Sequence, residues 1–369
     1  MNKLVFHVPT LRGGGAERVW VLMANEMARR GHHTTLLTWN GEGPNRTMLS
    51  PDVELVDFRI PVRGERFGKP ATIGGLLRMV GYLARHRPDA VFSGPEFANL
   101  VTATALTLAC SSARFFPSFH AAAAHFEPRA GSQLARMVAG LVVARATRAI
   151  AVSDGVAQDL ERIAHVVSGK AVVINNPLPP ALVEADQCLS SELATRPHAG
   201  PVIVTAGRLV EVKDHRTLLR AFAILRQTQQ ARLLLLGEGP LQPELAALAA
   251  QLGVAADVSM PGYVANPSAC FDRADLFVLS STSEGFGNVL IEAMAVGLPI
   301  VSTDCRHGPR EILQDGKFGA LVPVGDAAAL AAAMRAMLRD PTPPAELQSR
   351  AADFAVDRIG DRYEALLAV

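Results

Sequence analysis

Cysteine and aromatic residues are scarce in this chain of 369 residues. Aromatic residues make up only 5% of it, so a core must be built from Leu, Val, Ile and Ala. The cysteines lie far apart and form no CxxC pair, which argues against a zinc site and against a disulfide framework. These four residues are Cys110, Cys188, Cys270 and Cys305. Such usage is typical of a reducing compartment and predicts a cytoplasmic protein.

Long apolar runs are missing as well. The longest uncharged apolar run, around residues 98–110, falls well short of the ~20 residues that cross a membrane. The apolar run near Met1 is too short for a signal peptide. We therefore expect a chain that is soluble or bound to one face of a membrane.

Neither sign of charge dominates, since the formal net charge is +1. The two halves differ, however. Residues 1–178 carry 20 Lys and Arg against 13 Asp and Glu, whereas residues 179–369 carry 16 against 22. A basic half indicates an anionic partner. The balanced overall charge disfavours nucleic acid as that partner.

The basic residues concentrate in the stretch 59–87, which also has a helical apolar spacing. Its apolar positions are Ile73, Leu76, Leu77, Val80 and Leu83. A basic amphipathic helix can lie on an anionic membrane surface. A helix with its apolar face on the core and its basic face in solvent has the same pattern. Both interpretations stay open at this point.

Short β-branched runs alternate with helical patterns, which predicts βαβ units and parallel sheets. A proline-bearing polar stretch at 179–200 is typical of a linker. We therefore predict an α/β fold with two Rossmann-like, doubly wound parallel-sheet domains over 1–178 and 201–352, and a helix at about 353–369 that packs back on the first. Ligands of such sheets bind beyond the carboxyl ends of the strands, which predicts a cleft between the domains. The predicted strands span 3–8, 34–38, 53–58, 90–93, 148–153, 171–175, 201–207, 231–239, 257–262, 275–281 and 298–303.

A glycine triplet, Gly13 to Gly15, stands between the first predicted strand and a helical pattern. Glycines let the backbone approach a ligand, and a helix start offers N–H groups and the positive end of the dipole to an anion. The triplet lacks GxGxxG spacing, and LGEGPL at 236–241 lacks the third glycine. A dinucleotide fingerprint is therefore not indicated. An ordinary strand-to-helix turn is the alternative.

Two cations follow the first strand of the second predicted domain. Arg208 and Lys213 stand in GRLVEVKDH, at the carboxyl end of that strand. Arginine can bind two phosphate oxygens in a fork, and lysine acts as a point charge. The pair therefore predicts a diphosphate site, with surface ion pairs as the alternative.

Two glutamates mark the strongest motif, STSEGFGNVLIEAMA. We predict a helix from about Gly287 to Ala295, with Ser283 as a cap. Glu292 stands in an apolar run, where a carboxylate is costly unless it accepts hydrogen bonds, and sugar hydroxyls are suitable donors. A helix through both Glu284 and Glu292 would separate them by ~12 Å, more than the ~5–9.5 Å of a hydrolase's carboxylate pair. A glycoside hydrolase is thus disfavoured. The alternative to a ligand site is that the two glutamates only interact favourably with the helix dipole and solvent.

Together these motifs carry a resemblance. The E-x7-E pattern from Glu284 to Glu292 resembles the donor-binding motif of family 4 of the retaining glycosyltransferases, which have the GT-B fold. Segment 302–326 further resembles a branch that uses UDP-linked N-acetylhexosamines and builds lipid-linked glycans. Other segments that resemble the family, in the expected order, are 13–19, 151–160, 173–178, 206–214, 235–240 and 261–264.

The resemblance implies roles on the donor side. Glu292 would hold the ribose hydroxyls, and Arg208 and Lys213 would bind the diphosphate and assist catalysis. Glu284 would contact the hydroxyls of the donor sugar and count among the catalytic residues. Backbone groups would complete this side of the site, at Gly14, Gly15, Phe286, Gly287 and Asn288.

A histidine near the reacting sugar is also implied. His120 is the candidate catalytic residue, His125 is its rival, and a buried structural histidine is the third possibility. Glu17 and Arg18 would orient the glycine loop or meet the acceptor.

No D-x-D motif, the aspartate pair typical of manganese-dependent transferases, occurs in the chain. Arg208 and Lys213 can neutralise a leaving diphosphate instead, so we expect no cofactor and no essential metal. The resemblance implies a UDP-sugar donor and a glycan acceptor, for which a lipid-linked and a soluble glycan are the alternatives. An anionic membrane is a further partner of the first domain if the basic stretch lies on its surface. The alternatives are a GT-B nucleotide-sugar epimerase and a non-catalytic nucleotide-sugar-binding subunit.

Overall fold

The chain divides into two compact units in the computed structural model. The first unit comprises Met1–Pro177 and Val356–Val369, and the second comprises Leu178–Ala355. The structure describes residues 1–62, 67–120, 132–164, 169–179, 200–264 and 266–368. Most of the predicted linker at 179–200 therefore lies outside the described residues.

Within the described residues, seven parallel strands form the sheet of the first unit, in the order β3-β2-β1-β4-β5-β6-β7. The strands are β1 Lys3–Thr10, β2 His33–Asn40, β3 Glu54–Asp57, β4 Ala90–Ser93, β5 Arg114–Phe119, β6 Ala149–Ala151 and β7 Ala171–Val173. The helices are α1 Gly15–Arg29, α2 Lys69–His86, α3 Glu96–Leu108, α4 Ser132–Arg145 and α5 Asp154–Ala164, with a 3-10 turn at Pro44–Met48. The strand order reverses between β1 and β4, which is where doubly wound sheets bind ligands.

The second unit repeats the plan with six described parallel strands in the order β10-β9-β8-β11-β12-β13. These strands are β8 Val202–Ala206, β9 Arg232–Leu236, β10 Val258–Gly262, β11 Leu276–Leu279, β12 Ile300–Thr303 and β13 Ala320–Val322. Its helices are α6 His215–Arg226, α7 Gln242–Gln251, α8 Ser268–Phe271, α9 Asn288–Ala295, α10 Pro309–Ile312, α11 Ala327–Arg339 and α12 Pro344–Ala351, with 3-10 turns at Glu211–Lys213, Ala255–Asp257 and Ala352–Phe354. Here the order reverses between β8 and β11.

The last helix, α13 (Val356–Leu366), belongs to the core of the first unit. Its Tyr363 lies edge-on to Trp20 of α1, with ring centroids 6.2 Å apart, and both side chains are buried. Arg30 donates from Nη1 to Asp361 at 2.8 Å and from Nη2 to the Asp357 carbonyl at 2.7 Å. Apolar packing and these bonds hold the chain's last helix against its first.

Each of the eleven predicted strands coincides with a strand of the structure, namely β1 to β4 and β6 to β12. Strands β5 and β13 were not predicted. Pro117 interrupts β5, and proline is a poor residue for an inner strand because it lacks an N–H. Phe115, Phe116 and Phe119 are buried there, and their burial outweighs the loss of one ladder bond. Strand β13 has only three residues, which are too few to show the apolar pattern of a strand.

One expectation about the cysteines is wrong. Cys270 in α8 is disulfide-bonded, whereas Cys110 and Cys305 are free thiols. Spacing along the chain excludes only local pairs, because a fold can bring distant cysteines together. Cys188 lies outside the described residues.

Helix α2 covers most of the basic stretch. Its buried residues are Gly75, Met79 and Leu83, but Ile73 and Leu77 are 60% and 63% exposed. The helix therefore faces the core along a narrow stripe and leaves part of its apolar pattern in solvent. Among the described residues, no helix is long and apolar enough to span a membrane.

Candidate active site

The glycine loop directly follows β1 at the point where the first sheet reverses its strand order. Gly13 has a φ of 101°, and Gly14 caps α1. The Gly14 N–H donates to Glu17 Oε2 at 3.1 Å, and Thr10 Oγ1 donates to Glu17 Oε1. Glu17 thus holds the loop by a capping-box bond. Burial raises the pKa of Glu17, and the bonds from Thr10 and the loop N–H groups oppose that rise.

His120 stands immediately after β5 and is mostly buried. Its Nε2 lies 3.0 Å from Ser118 Oγ, and its ring is edge-on to Trp20 at 6.2 Å. Burial lowers its pKa to about 4. The ring is therefore neutral near pH 7, where it can donate or accept a hydrogen bond but carries no charge. His125 lies outside the described residues.

We expect His120 to stay neutral throughout the pH range of an enzyme assay. The Cε1 resonance of His120, assigned with a His120→Gln variant, should not shift between about pH 5.5 and about pH 8. Since an unfolded chain takes up the proton near pH 6.5, the stability contributed by the neutral ring is lost as the pH falls from there towards about 4. A titration midpoint near 6.5 in the folded protein would contradict this environment.

Arg208, Lys213 and Glu284 lie in the loops after β8 and β11, the two strands that flank the reversal point of the second sheet. Lys213 Nζ donates to Glu284 Oε1 at 2.6 Å, and Ser281 Oγ donates to the same oxygen at 2.6 Å. The Lys213 and Glu284 side chains are 21% and 10% exposed. The structure therefore places the predicted cation and the predicted carboxylate in direct contact.

The loop that carries Glu284 rests on a second loop. Ser283 forms an isolated bridge with Arg306, and the Glu284 N–H donates to the Arg306 carbonyl at 3.4 Å. Gly308 has a φ of 74°, and a Cβ there would lie 1.8 Å from the Phe286 carbonyl oxygen. Only glycine allows this approach, so the segment around 306–308 fixes where Glu284 lies.

The predicted cap of α9 is wrong. Gly287, with a φ of 100°, is the N-cap residue, and the helix runs from Asn288 to Ala295, within one residue of the predicted start. Ser283 lies four residues before the cap and pairs with Arg306 instead. Glu284 is therefore on a loop, so the helical spacing used to compare it with a hydrolase's carboxylate pair does not apply. Glu292 is on the helix and only 2% exposed, as its apolar neighbours predict.

The LGEGPL segment supports the Arg208 loop. A Cβ on Gly237 would lie 2.0 Å from the Gly207 carbonyl oxygen, so the two backbones are in close contact. The Leu209 N–H also donates to the Glu238 carbonyl at 2.8 Å. These glycines therefore allow close packing of the two loop backbones.

Sequence reasoning missed Thr10 and Ser281, whose hydroxyls fix Glu17 and Glu284. Each is a small hydroxyl residue at or just after the end of a strand, and that position was the available signal. Among the described residues, no group of three or more His, Cys, Asp or Glu side chains could hold a metal ion.

Two family models match the chain. The model described as Glycosyltransferase Family 4 matches residues 13–182, which contain the glycine loop. The model described as Glycosyl transferases group 1 matches residues 200–340, which contain Arg208, Lys213, Glu284 and Glu292. The chain belongs to glycosyltransferase family 4.

This family 4 glycosyltransferase is similar to curated proteins over part of its length. It is 38% identical over 138 residues to the N-acetylgalactosamine-N,N'-diacetylbacillosaminyl-diphospho-undecaprenol 4-alpha-N-acetylgalactosaminyltransferase of Campylobacter jejuni, over 37% of each chain. It is 36% identical over 177 residues to the lipopolysaccharide core biosynthesis glycosyltransferase LpsE of Rhizobium meliloti, over 47% of this chain and 51% of LpsE. The matched part thus spans 37% to 51% of these relatives.

Solved structures match the glycosyltransferase over its full length. Anabaena Alr3699/HepE in complex with UDP and glucose has a TM-score of 0.81 at 22% identity and covers 100% of both chains. Sucrose-phosphate synthase from Thermosynechococcus elongatus has a TM-score of 0.81 at 20% identity and covers 100% of this chain and 98% of its own. At such identities the likeness concerns the fold, and the predicted GT-B fold is confirmed.

Proposed function

We propose that this glycosyltransferase moves an N-acetylhexosamine from a UDP-sugar to a lipid-linked glycan, with retention of the anomeric configuration. The observation that carries the proposal is the contact of Lys213 and Glu284, beside the Arg208 loop, at the carboxyl end of the second sheet. The Campylobacter relative's name specifies an N-acetylgalactosamine transfer and a diphospho-undecaprenol acceptor. The Anabaena structure holds UDP and glucose.

The Lys213–Glu284 contact leaves both groups able to bind a donor. An ammonium group has three N–H donors, and one of them is used by Glu284. The other two can reach phosphate oxygens. The bonds from Lys213 and Ser281 both end on Oε1 of Glu284, so Oε2 can accept from sugar hydroxyls. In this proposal the pair binds the diphosphate and the sugar of one donor molecule.

The reaction breaks the bond between C1 of the donor sugar and the diphosphate oxygen. An acceptor hydroxyl oxygen forms the new bond to C1, its proton is released, and UDP leaves. Arg208 and Lys213 stabilise the charge that develops on the leaving diphosphate. Glu292 holds the ribose, and His120 supplies a neutral hydrogen-bonding group near the sugar.

A panel of UDP- and GDP-sugars tests the donor class. Hydrolysis of each donor without an acceptor, followed by thermal-shift titration of the preferred one, should select a UDP-N-acetylhexosamine. Formation of a 2-epimer in the same assay would favour an epimerase. Absence of any donor turnover and of any nucleotide binding would contradict the proposal.

We also propose that no metal ion is essential. The absence of a D-x-D motif and the presence of two cations after β8 support this proposal. Activity should persist in EDTA. Activity that EDTA abolishes and manganese restores would refute it.

Gly14 offers a prediction that separates ligand binding from folding. A Cβ there would lie 3.5 Å from Glu17 Oε2, an ordinary contact distance, and the φ of −66° suits any residue. Gly14→Ala should therefore lower the unfolding midpoint only slightly, through the loss of a favourable N-cap residue. It should lower transfer at least tenfold, because the methyl group would occupy space assigned to the phosphates. If the Gly14→Ala enzyme were fully active, Gly14 would not border the phosphate site.

The membrane partner is assigned to helix α2. Ile73 and Leu77 lie one turn apart and are exposed, and Arg78 and Arg85 on the same helix are exposed as well. Exposed apolar side chains beside cations are complementary to an anionic lipid surface. We place the enzyme at the cytoplasmic face of such a membrane.

Vesicle binding tests this assignment. The protein should sediment with vesicles containing phosphatidylglycerol, and the double variant Ile73→Ser/Leu77→Ser should lose at least tenfold in binding. Val324→Ser, an exposed apolar residue of the second unit, is the matched control. Equal sedimentation of the double variant and the control would contradict the assignment.

A further inference from the structure

A polar pocket of about 580 Å³ lies at the carboxyl end of the first sheet. Asn40, the last residue of β2, and Asp57, the last residue of β3, both line it. Glu42, Arg46 and Arg59 add three charged side chains. Its volume is within the range of small-molecule sites, which runs from roughly 300 to 1,000 Å³.

One wall of the pocket is tied to the glycine loop. The Asn45 N–H donates to the Leu11 carbonyl at 3.2 Å, and Asn45 Nδ2 donates to the Gly14 carbonyl at 3.4 Å. Asn45 is buried, and Arg46 follows it directly. The position of Arg46 is therefore coupled to that of Gly14.

Two hydrogen bonds donated by backbone N–H groups hold the part of the lining that follows β3. The Arg59 N–H donates to Asp57 Oδ1 at 2.8 Å, and the Ile60 N–H donates to the Trp39 carbonyl at 2.6 Å. Arg59 has a φ of 51°, in the left-handed region. This turn fixes where the Arg59 side chain leaves the backbone.

The chemistry of the lining selects a class of ligand. Two guanidinium groups donate hydrogen bonds, and two carboxylates and one amide oxygen accept them. Both charge signs are present, so a purely anionic or purely cationic ligand meets repulsion as well as attraction. A sugar offers neighbouring hydroxyls that donate and accept at once. Leu55, which is partly exposed, supplies apolar surface for its C–H groups.

We propose that this pocket binds a sugar unit of the glycan acceptor, next to the glycine loop. The inference rests on the proposed function, which supplies the acceptor. Donor recognition is assigned to Arg208, Lys213, Glu284 and Glu292, so the pocket at Arg46 and Arg59 has a separate task.

Saturation-transfer NMR with methyl glycosides tests the proposal on the full chain. The probes are the methyl α-glycosides of glucose, galactose, N-acetylglucosamine and N-acetylgalactosamine, each recorded with saturating UDP. At least one glycoside should give a signal. The double variant Arg46→Gln/Arg59→Gln should bind that glycoside with a dissociation constant at least ten times higher than that of the wild type. Arg220→Gln, an exposed arginine of α6, is the matched control and should bind like the wild type.

The outcomes separate this inference from the proposed function. No signal with any glycoside, or an unchanged affinity in the double variant, overturns the pocket assignment. Calorimetry with UDP provides the second readout, and the double variant should bind UDP within twofold of the wild type. Failure of the wild type to bind UDP would instead contradict the donor site, whatever the glycosides do.

Discussion

Lys213→Met is expected to lower sugar transfer by about one to two orders of magnitude. The reason is the loss of a charge-assisted contact with the leaving diphosphate, worth about 1.5–3 kcal/mol. The substitution also removes the partner that Glu284 Oε1 meets at 2.6 Å, so the carboxylate loses its orientation. Initial rates at saturating donor measure the effect.

A matched control separates charge from folding. Lys317 lies in the same unit, is exposed and stands over the Phe318 ring at 4.9 Å, so Lys317→Met should leave transfer unchanged. Lys213→Arg keeps the charge with a different shape and should fall between the two. Near-normal turnover in Lys213→Met would count against the role of Lys213.

Glu292→Gln is expected to weaken UDP binding by about ten- to a hundredfold, because hydrogen bonds to a charged group contribute about 1.5–3 kcal/mol. Glutamine preserves the volume of this side chain, which is 2% exposed. The variant should therefore fold, and its unfolding midpoint checks this. Calorimetry with UDP measures the affinity.

Glu346→Gln is the control for that experiment. Glu346 lies exposed on α12 of the same unit, so the Glu346→Gln variant should bind UDP with the affinity of the wild type. If Glu292→Gln also binds UDP with unchanged affinity, Glu292 does not hold the ribose and its burial has a purely structural reason.

Most of the fold could be predicted because buried parallel strands have a strong sequence pattern. Runs such as those of β1 and β9 are apolar on both faces, and their order along the chain implies the two sheets. Strand β5 escaped this rule because Pro117 argues against an inner strand. Burial of Phe115 and Phe116 decided its structure, and burial depends on contacts that are distant in sequence.

The candidate site could be predicted in position but not in detail. Arg208 and Glu284 follow strands whose pattern was clear, so their loops were expected at one edge of a sheet. The direct contact between Lys213 and Glu284 could not be predicted, because 71 positions separate the two residues in the chain. The cap of α9 was assigned to the wrong residue because a serine cap is a local signal, whereas the packing of Gly308 on Phe286 is not.

The position of UDP in a crystal structure of the complex decides whether Arg208, Lys213 and Glu292 form the donor site. We expect the diphosphate within hydrogen-bond distance of Arg208 and Lys213, and the ribose within reach of Glu292. A nucleotide bound elsewhere on the chain, or one seated with Arg208 and Lys213 turned towards bulk solvent, would contradict it.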